Sequence, residues 1–392
     1  MKVKQQPNDF CVEELTDVRP GVSGPFAFYR LEKTGWTTPD ALDAIRRRWQ
    51  IELPRLGYGG LKDRHAVTTQ YITIHNGPRR NLQHERVTVT YVGQVAHPYS
   101  STAITANRFA IVLRHLTEVE SSSAEAAARE LASTGVPNYF DDQRFGSVGP
   151  DGRFVARELV GGRFEEGLKI ALAGVYEHDG APEKAEKAIL LKHWNDWPAT
   201  KAALPRGNNR SIVDYLVSHP VDYKGAVVRL RPELQGLYLS AYQSHIWNRM
   251  LDRWLTQNFA AEHLGTLSLK LGSSATPTLV TEELERRWKT LHIPLPSARW
   301  KPEPGSEWAA IAEAVLSDDG LTLAAMKVPG VQKPFFSKGE RTGCVWPTGL
   351  ATEARDDELN RGRKKLLLRF DLPRGCYATM VIKRITGVSP VL

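Results

Sequence analysis

From the N-terminus, the chain shows short apolar runs before it shows helical spacing. FAFYRLEK (26–33), YITIHN (71–76), VTVTYV (87–92) and FAIVLR (109–114) are β-branched and aromatic, bounded by Gly, Pro or Asn, and predict strands. Two helices sit among them. TTPDALDAIRRRW (37–49) has Thr38 as its predicted N-cap and Pro39 at the first helical position. SSAEAAARELASTGVP (122–137) carries a capping box from Ser122 to Glu125 and stops at Gly135, with Pro137 just beyond. Helical spacing then dominates residues 154–176, 183–194, 210–218, 237–255, 281–291 and 307–317, with Pro/Gly-rich joints between them. Residues 265–280 and 320–350 are β-like and loop-rich. The tail KKLLLRFDLPRGCYATMVIKRI (364–385) predicts strand that completes a sheet. The pattern as a whole predicts a discontinuous α/β (α+β) domain, residues 1–160 and 351–392, with residues 161–350 inserted. The chain shows no internal repeat and no low-complexity segment.

Composition narrows the picture only a little. A length of 392 residues is long for one domain, and 41% hydrophobic with 24% charged content is ordinary for packed cores. The 52 Lys and Arg against 44 Asp and Glu leave a net charge of +8, which fits a polyanion such as nucleic acid but is shared by proteins that bind none. Cys11, Cys344 and Cys376 are odd in number and far apart, which argues for a reducing compartment and against a disulfide framework or structural zinc. MKVKQQPNDF lacks the apolar core of a signal peptide, and no run approaches 18 apolar residues. A soluble, cytoplasmic protein is the expectation.

Three stretches concentrate chemistry. GGLKDRHAVTTQY (59–71) places Lys62, Asp63, Arg64 and His65 between a glycine pair and a strand. An aspartate is ionised at neutral pH and can serve as an oxygen nucleophile without an activating base. An ion-paired turn explains the same residues, and His65 alone reads as structural. GVPNYFDDQRFG (135–146) interleaves Tyr139, Phe140 and Phe145 with Asn138, Gln143 and Arg144, a mixture suited to stacking and reading bases and equally to anchoring a loop. Asp141 and Asp142 tell against a purely phosphate-binding role. PNDFCVEEL (7–15) sets Phe10 before Glu13 and Glu14. Neighbouring carboxylates on a strand point to opposite faces, so a glycosidase pair fails and both read as a solvated face. The clusters Arg46–Arg48, Arg79–Arg80 and Arg361–Lys365 are candidate phosphate contacts or plain solvated faces, and Tyr242, His245 and Trp247 read as helix core. There is no GxxxxGK[ST], GxGxxG, HExxH or GxSxG motif.

Taken in order, DFCVEE, GLKDRHAVTTQ and NYFDDQRFG resemble the TruD family of tRNA pseudouridine synthases. LSAYQSHIWNRML (239–251) and LPRGCYATMVIKRI (372–385) continue the likeness, the latter as the family's closing strand, while residues 255–350 match loosely. The resemblance implies a pseudouridine-synthase catalytic domain with a mixed or antiparallel sheet, an inserted TruD-type domain, and a basic cleft for tRNA. It implies isomerisation of uridine 13 by a monomer without cofactor or metal. The family's indispensable aspartate falls on Asp63, with attack at C1′, attack at C6 and abstraction of the 2′ proton all left open. Phe10, Asn138 and Tyr377 fall at substrate contacts, and Phe140 at the pocket wall. Lys62 and Lys383 are candidates for pairing with Asp63 or a phosphate. Two residues depart from the pattern: Asp141 replaces a glycine, and Tyr377 replaces the commoner phenylalanine. A non-catalytic RNA-binding or chaperone protein on the same scaffold is the alternative from another class.

Overall fold

The computed structural model describes every residue except Pro150, Glu177, His178, Gln332, Pro334, Val391 and Leu392. The chain forms two compact units. One is Met1–Val136 with Val345–Val388; the other is Pro137–Cys344 with the last residues from Ser389.

The first unit is built on a mixed sheet. Its strands lie in the order Thr348–Asp356, Lys364–Pro373, Ile104–Leu116, Phe10–Thr16, Val67–His75, Phe26–Thr34, Val87–Val95 and Leu82–His84. Phe10–Thr16 and Val67–His75 run parallel, with Cys11 opposite Val67, whereas the other neighbours in this order are antiparallel. That one parallel pair matters, because it brings the chain entering both strands to the same end of the sheet. The segment before Phe10 and the charged loop before Val67 therefore emerge side by side. Ala27, Tyr29, Leu31, Ile72, Ile74, Val87 and Val89 pack against Ala41, Leu42 and Ile45 of the Thr38–Trp49 helix to make a core. Each large apolar side chain buried there contributes about 1.5–3 kcal/mol.

Both predicted helices form in this unit, but their caps differ from expectation. Thr37, not Thr38, is the first N-cap; its Oγ1 accepts from the Asp40 amide at 3.2 Å, and Thr38 is buried within the first turn. The second helix runs Glu118–Thr134, capped by a Thr117–Glu120 box with Glu120 N to Thr117 Oγ1 at 3.1 Å. Ser122–Glu125 fits the same spacing, but the strand ends at Leu116, so the earlier box caps the helix.

The tail departs further. Lys364–Pro373 is a strand, but Ala378–Thr386 is a helix and not strand to Ile385. Gly375, at φ +83°, turns the chain after Pro373. Ala378, Val381, Ile382 and Ile385 then share one buried helical face at the i, i+3, i+4, i+7 spacing. The β-branched Val381, Ile382 and Ile385 mimic a strand.

The second unit is mainly helical. The predicted 154–176 helix breaks into Val155–Val160 and Phe164–Ala173 at Gly161–Gly162, where Gly162 takes φ +75°. Ala181–Lys192, Asn208–Ser218, Glu282–Lys289 and Glu307–Ser317 fall near their expected places. Trp197–Ala203 and Tyr223–Val228 are short helices without sufficient periodicity to be foreseen. The longest helix, Pro232–Asn258, buries Tyr242, Trp247, Met250, Leu251 and Trp254, while Leu264–Leu269 and Gly272–Pro277 pair as a hairpin. Among the described residues, no helix is long and apolar enough to cross a membrane.

Candidate active site

Asp63 lies in the loop joining Leu56–Tyr58 to Val67–His75. Gly59 opens it in close quarters: a Cβ there would come within 2.6 Å of Ile104 Cδ1 and force that side chain to shift. The loop backbone is held by a lysine from another strand. Lys33 is buried, and its Nζ donates to the carbonyls of Trp36 (2.8 Å), Asp63 (2.9 Å) and Lys62 (3.4 Å). Burial pulls the Lys33 ammonium down to about 8, against the Asp63 carboxylate, which favours the charge. Thr38 Oγ1 accepts from the Lys62 amide at 2.9 Å and donates to Gln70 Oε1 at 2.9 Å, tying the loop to the first helix.

The carboxylate itself meets Lys4, whose Nζ donates to Asp63 Oδ2 at 2.6 Å. The same ammonium lies 4.1 Å from the centre of the Phe10 ring, a cation–π contact. Phe10 is buried, edge-on to Phe109 at 6.3 Å. Asp63 keeps 35% of its side-chain surface exposed, so the carboxylate remains within reach of a substrate. Lys4, Phe10, Lys33 and Asp63 thus form one constellation.

Lys62 belongs to its flank and not to the Asp63 pair. Its Nζ lies 2.7 Å from Glu14 Oε1 and donates to Asn107 Oδ1 at 3.1 Å. Glu14 is fully buried, accepting also from the Tyr71 amide (3.1 Å) and Tyr99 hydroxyl (3.4 Å). The solvated-face expectation for Glu14 is therefore corrected: it shares the inward strand face with Phe10 and Val12. Arg64 and His65 are exposed, so the frame of Asp63 is Lys4 and Lys33, not its sequence neighbours. Tyr377 is the half-buried N-cap residue of the Ala378–Thr386 helix, and Lys383 lies partly buried in its last turn.

Asn138 and Phe140 form a second constellation within the other unit. Asn138 Nδ2 donates to Thr342 O (3.0 Å) and Oγ1 (3.1 Å), and its Oδ1 accepts from Arg341 Nη2 at 2.6 Å. The amide is thus oriented by protein, where the sequence presented it simply as a donor and an acceptor for a uracil edge. Phe140 is buried edge-on to Trp247 at 5.3 Å, with the Arg341 guanidinium 4.3 Å from its ring centre. Asn248 fixes the Phe140 backbone, accepting from its amide and donating to its carbonyl, both at 2.8 Å. Asp141 sits at φ −85°, so nothing in its backbone requires the glycine it replaces. Tyr242 and Trp247 are core, as expected; His245 stacks on Phe154 at 4.9 Å, and burial lowers its pKa to about 4.

Sequence reasoning missed Lys4, Lys33, Glu14, Thr38 as a loop anchor, and Arg341. Strand parity could have found two of these: Lys33 shares the inward parity of Tyr29 and Leu31, and Glu14 that of Phe10. Nothing local marks Lys4. Among the described residues, no three His, Cys, Asp or Glu side chains gather as for a metal ion.

Comparison with known proteins agrees over the whole chain. The family model described as tRNA pseudouridine synthase D (TruD) matches residues 1–385. A Methanococcus maripaludis protein named "Probable tRNA pseudouridine synthase D 1" is 30% identical over 99% of this chain and 100% of its own. An Aquifex aeolicus protein named "tRNA pseudouridine synthase D" is 26% identical over 98% of each. The solved structure of the "Putative tRNA pseudouridine synthase D (TruD)" from Methanosarcina mazei superposes with a TM-score of 0.73 at 26% identity, covering 99% of this chain and 94% of that one. With its ordered motifs, its mixed sheet and these full-length likenesses, the chain belongs to the TruD family of tRNA pseudouridine synthases.

Proposed function

We propose that this chain isomerises uridine to pseudouridine at position 13 of tRNA, with Asp63 as the essential carboxylate. The observation that carries the reading is the Asp63 constellation: one reachable carboxylate, its backbone gripped by Lys33 and one oxygen paired with Lys4. Product and substrate are isomers. The C1′–N1 bond breaks, a C1′–C5 bond forms, and the hydrogen leaving C5 is balanced by one on N1, so no oxidant or reductant is consumed. A single placed carboxylate, reacting at C1′ or C6 or taking the 2′ proton, suits such a reaction.

The target base must leave its stack, at a cost on the order of a few kcal/mol. Stacking on rings, worth roughly 1–3 kcal/mol per base, offsets this. Phe10, Tyr377, Asn138 and Phe140 are the nucleotide contacts in this reading, by their places in the family's motifs, and Asn138 would have to exchange its bonds to Arg341 and Thr342 for the base. Lys383 supplies positive charge to the nucleotide in this reading, while the Lys62 charge is offset by Glu14 and leaves it a hydrogen-bond donor there. The protein acts as a monomer, and its basic clusters line the cleft that receives the RNA backbone. Residues 1–160 and 351–392 are the catalytic domain in this reading and 161–350 the inserted one; the first compact unit is likewise discontinuous, but it ends at Val136 and resumes at Val345, so residues 137–160 pack with the second unit.

The test is to incubate purified protein with an unmodified tRNA transcript and map pseudouridine by nucleotide. Product at position 13, lost when that uridine is replaced by cytidine, is the expected result. Tight tRNA binding without pseudouridine anywhere would overturn the reading in favour of a binding protein, and product elsewhere would overturn the assigned position.

A further inference from the structure

Residues 4–9 form a short loop whose two ends rest on the same strand. Lys2 and Val3 pair with Arg114 and Leu113, and Phe10 pairs with Ile111, all on Ile104–Leu116. The loop carries Lys4 at φ +59°, a left-handed conformation that a non-glycine residue keeps only where its surroundings impose it. From there the Lys4 ammonium reaches both Asp63 and Phe10.

The loop is bonded to a buried charge network. Asp9 closes the loop, accepting from the Gln6 amide at 3.0 Å. Arg114 Nε donates to Asp9 Oδ1 (2.9 Å) and Oδ2 (3.0 Å), its Nη1 to Asp357 Oδ1 (2.8 Å) and its Nη2 to Glu358 Oε1 (3.1 Å). Arg114, Asp9 and Asp357 are all buried. Asp357 and Glu358 belong to the turn that follows the Thr348–Asp356 strand. The same turn sends Asn360 to Gln5 Oε1 at 3.0 Å and receives Lys2 Nζ on Asn360 Oδ1 at 3.1 Å. Burial opposes the charge on Asp357, but the His115 amide, Asn360, the Leu359 amide and Arg114 overcome it and hold its carboxyl at about 2.

We propose that Arg114 is a positioning residue for the reaction. It clamps Asp9 against Asp357 and Glu358, and so holds the 4–9 loop in the shape that delivers Lys4 to Asp63. The proposal rests on Asp63 being the essential carboxylate. A planar guanidinium is required, because its fork serves three carboxylates at fixed angles and an ammonium cannot. The turn near the C-terminus thereby sets the geometry of a pair formed by residues 4 and 63.

Arg114→Lys keeps the charge and loses the fork, while Asp9→Asn keeps an acceptor for Gln6 and loses the pairing. Single-turnover rates and tRNA binding are measured for each, alone and in a Lys4→Met background, after circular dichroism has verified folding. Each variant is expected to lose about tenfold to a hundredfold in rate, as for a misplaced reacting group, with tRNA affinity within about twofold of wild type. In the Lys4→Met background neither should cost anything further, since both act through Lys4. Wild-type rates in the folded variants, or losses that multiply with that of Lys4→Met, would overturn the proposal; if Arg114→Lys fails to fold, Asp9→Asn decides. Asp63→Asn in the same assay keeps the two readings apart: its inactivity upholds the essential carboxylate however the network variants behave, and its activity removes that reading.

Discussion

At the scale of single residues, the functional proposal depends on one carboxylate and the groups that place it. Asp63→Asn is isosteric and removes the charge, so it should lower single-turnover pseudouridine formation by at least about a thousandfold while leaving tRNA affinity nearly unchanged. Lys4→Met removes the partner of Asp63 Oδ2 and the cation over Phe10. Its rate should fall by about tenfold to a hundredfold, less than for Asp63→Asn because the backbone grip of Lys33 remains. Quenched-flow assays on both variants read these losses directly. Asp63 was legible in the sequence because its motif is local and ordered. Its partners were not, since Lys4 is 59 positions away and meets it only after two strands pair in parallel.

At the scale of elements, strands were legible wherever apolar and polar positions alternate, and the failures are equally physical. The Ala378–Thr386 segment is rich in β-branched residues, yet its apolar positions also satisfy helical spacing, and a turn at Gly375 separates it from the strand before it. Ile382→Ala in that helix should lower stability by roughly 2–5 kcal/mol, measured by urea unfolding, because the side chain is buried. Lys33 shows the opposite conflict, a charged residue that strand parity turns inward. Its pKa falls from 10.5 unfolded to about 8 folded. Between those values the unfolded chain binds more protons than the folded one, so this group makes stability rise with pH across that window. The slope is at most about 1.4 kcal/mol per pH unit. The difference in unfolding free energy between wild type and Lys33→Met should therefore grow from pH 8 to 10, and a flat difference would remove the assignment.

At the scale of the molecule, sequence pattern predicts a discontinuous α/β unit with a helical insertion, because a composition that alternates, turns helical and alternates again has few other solutions; the compact units themselves divide at Val136 and Val345, not at 160 and 351. What it could not reach was long-range charge placement. Arg114 lies 105 positions from Asp9 and 243 from Asp357, and the three become neighbours only in the folded chain. The net charge of +8 is spread over several clusters, some already paired: Arg46 and Arg47 with Asp43, and Lys364 with Asp356. Affinity for tRNA should still fall linearly on a log–log scale with salt, by roughly a hundredfold or more between 50 and 200 mM if four or more phosphates are neutralised, as a filter-binding titration would read. The most direct measurement is the rate of pseudouridine formation at position 13 of an unmodified tRNA by wild type and by Asp63→Asn under single-turnover conditions, with binding measured alongside. The account predicts product from the wild type, none from the variant, and comparable binding by both. Pseudouridine formed by Asp63→Asn at the wild-type rate would contradict it.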